Sequence, residues 1–217
     1  MSKYSPAERE KAEAEIMSYI KRELRYYRTA KGVSSKSSFS NSKENIRRLH
    51  KKQRVQKLKD AKSFVKKVSP KLLKFFASGN DVFPRKITPK LQLIESDTWE
   101  SELFRLASLT WSVPVSQGYG RRMRFLVWDE YNNKLIGIFA LGDPVFNLSA
   151  RDKVIGWDAK QRKERLVNVM DAYVLGSIPP YNALLCGKMI ACLIRSKDVK
   201  NAFSKKYGNY KGIITGK

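Results

Sequence analysis

Apolar residues recur along this chain with two different periods, and the change from one to the other divides it. Over the first ninety residues the spacing is helical. Ser5-Pro6-x-Glu8 has the cap, the first-turn proline and the acidic third position of a helix start, and Ile16, Tyr19, Ile20, Leu24 and Tyr27 then form one apolar face. Gly32 ends that helix, and VSSKSSFSNS (33–42) reads as a Ser-rich linker. A second helix is predicted after an Asn41/Ser42 cap, its period carried by Val55, Leu58, Val65, Val68 and Leu72. Ser69-Pro70 predicts a break and restart, with Phe75 and Phe76 closing the face before Gly79-Asn80.

From residue 91 alternation takes over. Residues 91–94 predict a short strand, and 98 to about 111 a helix whose buried stripe is Trp99, Leu103, Leu106 and Leu109. WSVPVSQGYG (111–120) is a loop. Residues 123–129 and 134–141 predict two strands joined through Tyr131-Asn132-Asn133, a strong hairpin signal. Residues 143–164 are irregular with helical pieces, 166–175 predict a further strand, and Pro179-Pro180 opens a helix to about 195. A short helix near 198–206 and the start of a strand at 212–215 complete the order. The fold class is therefore α/β (α+β): a mixed sheet in the order β-α-β-β-(insert)-β-α-α-β, preceded by a basic helical arm. The arm takes 1–80 and the α/β domain 81–217. A hairpin followed by a strand leading into a helix is also the order of the core of GNAT-type acyltransferases, an analogy of topology alone.

Charge changes the picture of the arm. The chain carries 44 Lys+Arg against 20 Asp+Glu, a net +24, and residues 1–90 hold 25 basic and 8 acidic side chains. Thirteen basic residues fall between Lys43 and Lys74, opposed only by Glu44 and Asp60. A polyanion repays such asymmetry by releasing condensed counterions, which points to DNA or RNA. Arg47, Arg48, Lys51, Lys52, Arg54, Lys57, Lys59, Lys62, Lys66 and Lys67 are the expected backbone contacts. A solvated charged face packed on protein is the plainer alternative. A membrane-surface helix ranks behind both, because the apolar face is narrow and has no Trp. No stretch reaches the roughly 18 apolar residues of a membrane span, and the N-terminus lacks the apolar core of a secretory signal. Cys186 and Cys192 have no zinc spacing and His50 is the single histidine, so structural thiols in a reducing cytoplasm are expected and no metal site is visible.

Three segments are too polar for plain core. Gln117-Gly-Tyr-Gly-Arg-Arg122 with Arg124 joins two glycines to Arg121, Arg122 and Arg124, fork-shaped donors suited to phosphate. No Gly-Lys-Ser/Thr follows, so this is no P-loop; a hairpin entrance with surface arginines is the alternative. In the second segment Asp143 closes a hydrophobic strand, and Asn147, Arg151, Asp152 and Trp157 follow as cleft candidates. In the third, Asn168, Asp171, Tyr173, Tyr181 and Asn182 cluster. Asp171 is a candidate general base or a structural partner of Arg151, since a carboxylate in an apolar strand needs one. The helix predicted after Pro180 would offer its first N–H groups to an anion such as a pyrophosphate.

The stretches ASLTWSVPVSQGYGRRMRFLVWD (107–129), LIGIFALGDPVFNLSARDKVIGW (135–157) and RLVNVMDAYVLGSIPPYNALLCGKMIA (165–191) resemble the DruA-type domain family, named for a component of the Druantia anti-phage defence system. The resemblance spans about half the chain. It implies a bacterial defence or mobile-DNA setting with nucleic acid as substrate or cue, and it transfers no catalytic residues. It also implies relatives that continue past ITGK, hence a fragment or a naturally short product. Three functions are carried forward. The first is a nucleic-acid-binding defence component. The second is a GNAT-fold transferase, with Asp143 or Asp171 as base, Tyr173 or Tyr181 as acid and acyl-CoA as a weakly supported cofactor, because PPYNALLCGK is not the Gly-rich turn that cradles coenzyme A. The third is a docking subunit bound to other defence proteins.

Overall fold

The computed structural model describes residues 14, 18, 43–113 and 115–208. Apart from residues 14 and 18, which are helical, the helix expected over the first thirty residues, the 33–42 linker and the strand expected at 212–215 lie outside the described residues. Seven α-helices and four strands are found among those described, an α/β chain as the pattern implied. The chain divides into two units, 1–49 and 50–217. No helix among the described residues is long and apolar enough to cross a membrane.

Helix α1 (Lys43–Asp60) buries no residue, and Val55 and Leu58 stay exposed despite their helical period. Helix α2 (Lys62–Leu72) follows at once. Ala61 N–H still donates to Lys57 O at 3.0 Å and Val65 N–H to Ala61 O at 2.9 Å, so the ladder runs through the junction. The break expected at Ser69-Pro70 does not occur. Pro70 cannot donate to Lys66 O, but the turn continues past it, with Leu73 N–H donating to Ser69 O, and the helix closes only at Leu72 into the 3-10 turn Leu73–Phe75. Val68 and Leu72, assigned to the arm by their period, are buried in the core of the second unit.

Strands β1 (Pro89–Leu93), β2 (Arg122–Asp129), β3 (Lys134–Gly142) and β4 (Asp171–Ser177) form one sheet in the order β1-β2-β3-β4. Every neighbouring pair is antiparallel, so no parallel pair of the expected mixed sheet occurs among the described strands. The β2–β3 hairpin turns where predicted. Asn133 takes φ +57°, a conformation asparagine tolerates, and donates its N–H to Asp129 O at 2.8 Å. Strand β3 is buried at every residue after Lys134, because both faces of the sheet are covered.

One face carries Leu126, Ile138, Ala140 and Val174 beneath α2 and α3 (Trp99–Ser108). The other carries Met123, Phe125, Val127 and Phe139 against Tyr181, α6 (Cys186–Leu193) and α7 (Lys197–Tyr207). Between β3 and β4 the chain makes α4 (Ser149–Ile155) and α5 (Ala159–Arg165). The strand expected at 166–175 begins only at Asp171. Leu166–Asn168 instead continues α5 as a 3-10 turn that buries Leu166. Pro180 opens a 3-10 turn, Tyr181–Leu184, and Leu185 (φ +59°) interrupts before α6 starts at Cys186.

Asp129 ties these layers together. Fully buried, it accepts from Thr88 N–H at 3.1 Å, Tyr131 N–H at 3.2 Å and the Tyr181 hydroxyl at 2.9 Å. The carboxylate is thereby satisfied, as a buried charge requires. Because α2 anchors the core, Leu72→Ala is expected to destabilise the protein by about 2–5 kcal/mol. Leu58→Ala on exposed α1 should stay within about 0.5 kcal/mol. Urea denaturation of the two variants distinguishes them.

Candidate functional site

Arg122 and Arg124 stand two apart on β2 and so share the face of Leu126. At this end of the sheet the face lies open. Gly142 pairs with Arg122 across β2–β3, and the register of β3–β4 slips between Ala140 and Leu141, beside Tyr173. The Tyr173 ring fills the room left by two glycines: a Cβ at Gly142 would come within 2.9 Å of it, and one at Gly118 within 2.6 Å. Gly118 also holds φ +71°, a second reason for glycine there.

The result is a groove of about 1110 Å³. Its floor includes Arg122, Arg124 and Tyr173. One wall comes from Phe64 and Lys67 of α2 with Trp99, Glu102 and Arg105 of α3, and the other from Ser116, Gln117 and Gly120 with Lys206 and Tyr207 of α7. Five cations (Lys67, Arg105, Arg122, Arg124, Lys206) meet two carboxylates, Asp97 and Glu102. Glu102 is taken up by Lys67 at 3.4 Å, an exposed and therefore weak pair. Arg105 lies over the Phe64 ring at 4.0 Å and Arg124 over Phe104 at 5.9 Å. Among the described residues no carboxylate pairs with Arg105, Arg122, Arg124 or Lys206. The Tyr207 hydroxyl bridges the N–H and C=O of Arg122, both at 2.9 Å, and Lys206 Nζ donates to the same carbonyl at 3.1 Å, so α7 clamps the strand end. Burial pushes the Tyr173 hydroxyl up, while the charges of Arg124 and Arg122 act the other way.

Arg121, expected beside its neighbours on phosphate, turns to the opposite side and is 8% exposed. Its Nε and backbone N–H donate to the two oxygens of Asp143, at 2.8 and 2.9 Å, and Nη2 donates to Val167 O at 2.7 Å. Asp143 is thus engaged by a buried guanidinium, and a Cβ on Gly120 would strike its carboxylate. Tyr181 is fully buried on the far side of the sheet, its hydroxyl held by Asp129 and raised in pKa by burial. Asp171, Asn168 and Asn182 are exposed outside the groove. Arg151, offered above as a partner for Asp171, binds Asp152 instead.

The second segment forms a separate cluster. Asp152 is buried and accepts from Arg151 at 2.8 and 2.9 Å and from Arg162 at 2.8 Å, while Arg151 also donates to Val145 O and Phe146 O. The Arg162 guanidinium, with Arg151, holds Asp152 below the usual carboxylate range against the effect of burial. Trp157 N–H bonds to Asp152 O at 2.8 Å, and Asn147 is exposed. The helix start expected just after Pro180, as an anion or acyl-CoA anchor, lies instead at Cys186 behind Leu185.

Of the basic residues assigned to the arm, Arg47, Arg48, Lys51, Lys52, Lys59, Lys62, Lys66 and Lys67 are exposed and Arg54 is half-buried. Lys57 differs. Its ammonium turns inward and donates to Ser108 O, Trp111 O and Val113 O at 3.0–3.2 Å, closing the C-terminal end of α3. Burial lowers its pKa.

A family model described as Druantia protein DruA matches residues 40–217. The chain belongs to the DruA family. A curated relative, Druantia protein DruA of Escherichia coli (strain UMEA 4076-1), is 59% identical over 177 residues, which are 82% of this chain and 44% of the relative. The chain therefore spans less than half the length of that DruA protein. No solved structure matches. The family match takes in the groove whole, from Phe64 to Tyr207.

Sequence reasoning found Lys67, Arg122, Arg124, Tyr173 and the 117–120 loop, but missed Trp99, Arg105, Lys206 and Tyr207 as groove residues. Arg105 sits one past Phe104 on an otherwise buried helix, a polar interruption that could have marked it. Two outcomes follow. Lys57→Ala should destabilise the protein by about 1–2 kcal/mol through the uncapped carbonyls and leave nucleic-acid affinity nearly unchanged, read by urea denaturation and fluorescence anisotropy. The Asp152 ion triad should stabilise fully above the ordinary carboxylate value of 3.8 and lose that contribution as pH falls through its lower folded value. Asp152→Asn removes this dependence, so the stability of the parent should fall more steeply with acid than that of the variant.

Proposed function

We propose that this chain is a nucleic-acid-binding component of a Druantia-type anti-phage defence system, acting in the bacterial cytoplasm beside other subunits of that system. Family membership supports the defence setting. The observation that carries nucleic-acid binding is the groove, where Arg122, Arg124, Arg105 and Lys206 line one opening with no carboxylate partner among the described residues. Cations in excess over the acids beside them, five against Asp97 and Glu102 here, are matched by a phosphate backbone, which arginine grips through paired donors. Exposed Lys51, Lys52, Lys59, Lys62 and Lys66 then add affinity without specificity.

The reading makes a measurable demand on salt dependence. Each phosphate contact contributes about 0.7 to the log–log salt slope on a single strand and about 0.9 on a duplex. Arg122→Ala with Arg124→Ala should therefore lower the slope by about 1.4–1.8 and weaken binding at low salt. Affinity and slope equal to those of the parent protein would remove the groove from the binding surface.

A further inference from the structure

Resting on that reading, we propose that the groove takes a single strand of nucleic acid, with bases stacked on Trp99 and Tyr173 and phosphates on Arg122 and Arg124. The cations alone do not discriminate, since a duplex offers phosphates too. The rings do. Trp99 stacks on Phe75 at 5.0 Å between centroids and lies 6.5 Å from Trp128, yet the residue remains 43% exposed and is among those that line the groove. A large indole left open beside cations is out of place in a site for charge alone. Tyr173 lies on the floor between the arginines and the bulge, and two glycines give up their Cβ atoms to seat its ring.

Base faces are reachable only where they are unstacked. In a duplex each base is covered by its neighbours, so rings inside a recess meet nothing but backbone and edges. In a single strand the faces are open, and an aromatic ring beside an electrostatic track is the arrangement that binds them. The volume agrees. About 1110 Å³ exceeds the roughly 300–1,000 Å³ of a pocket for one small ligand, which suits several linked nucleotides. The lining also includes two carboxylates, Asp97 just before α3 and Glu102 on it, and Glu102 is taken up by Lys67.

Four probes of about 15 nucleotides, near the upper site size of a strand-binding fold, test this on the full chain by fluorescence anisotropy at fixed salt. They are a mixed-sequence DNA strand, the same strand in RNA, an abasic strand of equal length and charge, and the blunt duplex. One base-bearing single strand, DNA or RNA, is expected to bind at least about tenfold more tightly than the abasic strand and the duplex, that is ~1.4 kcal/mol. Trp99→Ala should lose most of that preference and leave abasic binding within about twofold, while Trp99→Phe retains it. Tyr173→Leu against Tyr173→Phe repeats the comparison at a residue that does not pack on Phe75, and a thermal melt confirms that each variant is folded. A duplex or an abasic strand bound as tightly as the base-bearing strand overturns the single-strand assignment and leaves polyanion binding standing. A different result separates the broader reading: Arg122→Ala with Arg124→Ala binding all four probes like the parent overturns nucleic-acid binding in the groove. Poly-glutamate displacing the strand at equal charge would overturn both, because an acidic protein would then be an equivalent occupant.

Discussion

The sheet takes its cover on one face from α2 and α3 together, and α3, the helix nearest the Arg122 end, is shorter than the strand beneath it. Ten helical residues extend about 15 Å, whereas the eight residues of β2 extend about 26 Å. The helix packs over Leu126, Ile138 and Ala140 and leaves the Arg122 end of the strand bare. What fixes the stopping point is Lys57. Its ammonium sits on the last carbonyls of α3 and on Trp111 and Val113 beyond, so the chain leaves the helix at that place and returns as the 115–120 loop. The groove thus opens where the helical cover ends, next to a helix terminus held by a lysine from outside the helix.

Period two then sorts the charges. Arg121, Arg122, Met123 and Arg124 follow one another, and alternation sends them to opposite sides. Arg121 enters a buried ion pair with Asp143, which fixes the turn through Gly120, while Arg122 and Arg124 remain on the open face. The same segment is thus both anchor and site. Removing Asp143 would leave the buried Arg121 guanidinium without its counter-charge. The arginines of the groove carry no such obligation. Asp129 and Asp152 tell the same story elsewhere: each is buried and fully occupied in holding loops together.

Legibility followed the reach of the interactions involved. The hairpin at 131–133, the helix near 99 and the alternation of β2 are local, and they could be read from spacing. Arg122, Arg124 and Tyr173 were legible as chemistry because glycines and arginines concentrate around them. Lys57 was not. It has the sequence surroundings of any residue on a solvated basic helix, and its role depends on carbonyls more than fifty residues away. Tyr181 and Asp143 were read as reactive for a related reason: polar groups next to apolar strands look alike in sequence, whether they face a cleft or bind each other's neighbours. The extension of α2 through Pro70 was hidden too, since a proline past the first turn removes a backbone hydrogen bond and reads locally as a break.

The two populations of cations in the second unit differ in what they do at a distance. On the proposed reading, the lysines of α1 and α2 other than Lys57 and Lys67 stand in water, where screening at physiological salt takes hold within about 8 Å. They raise the local density of any polyanion and quicken its arrival, but no ring or partner fixes its direction. The groove arginines are placed against rings and strand backbone, and Tyr207 and Lys206 hold the strand end that carries them. A ligand aligned there meets donors that need not reorganise, so the same unit of charge holds longer in the groove than on the helix. On the same proposed reading, specificity belongs to the rings of Trp99 and Tyr173 rather than to the thirteen basic residues that dominate the sequence between Lys43 and Lys74.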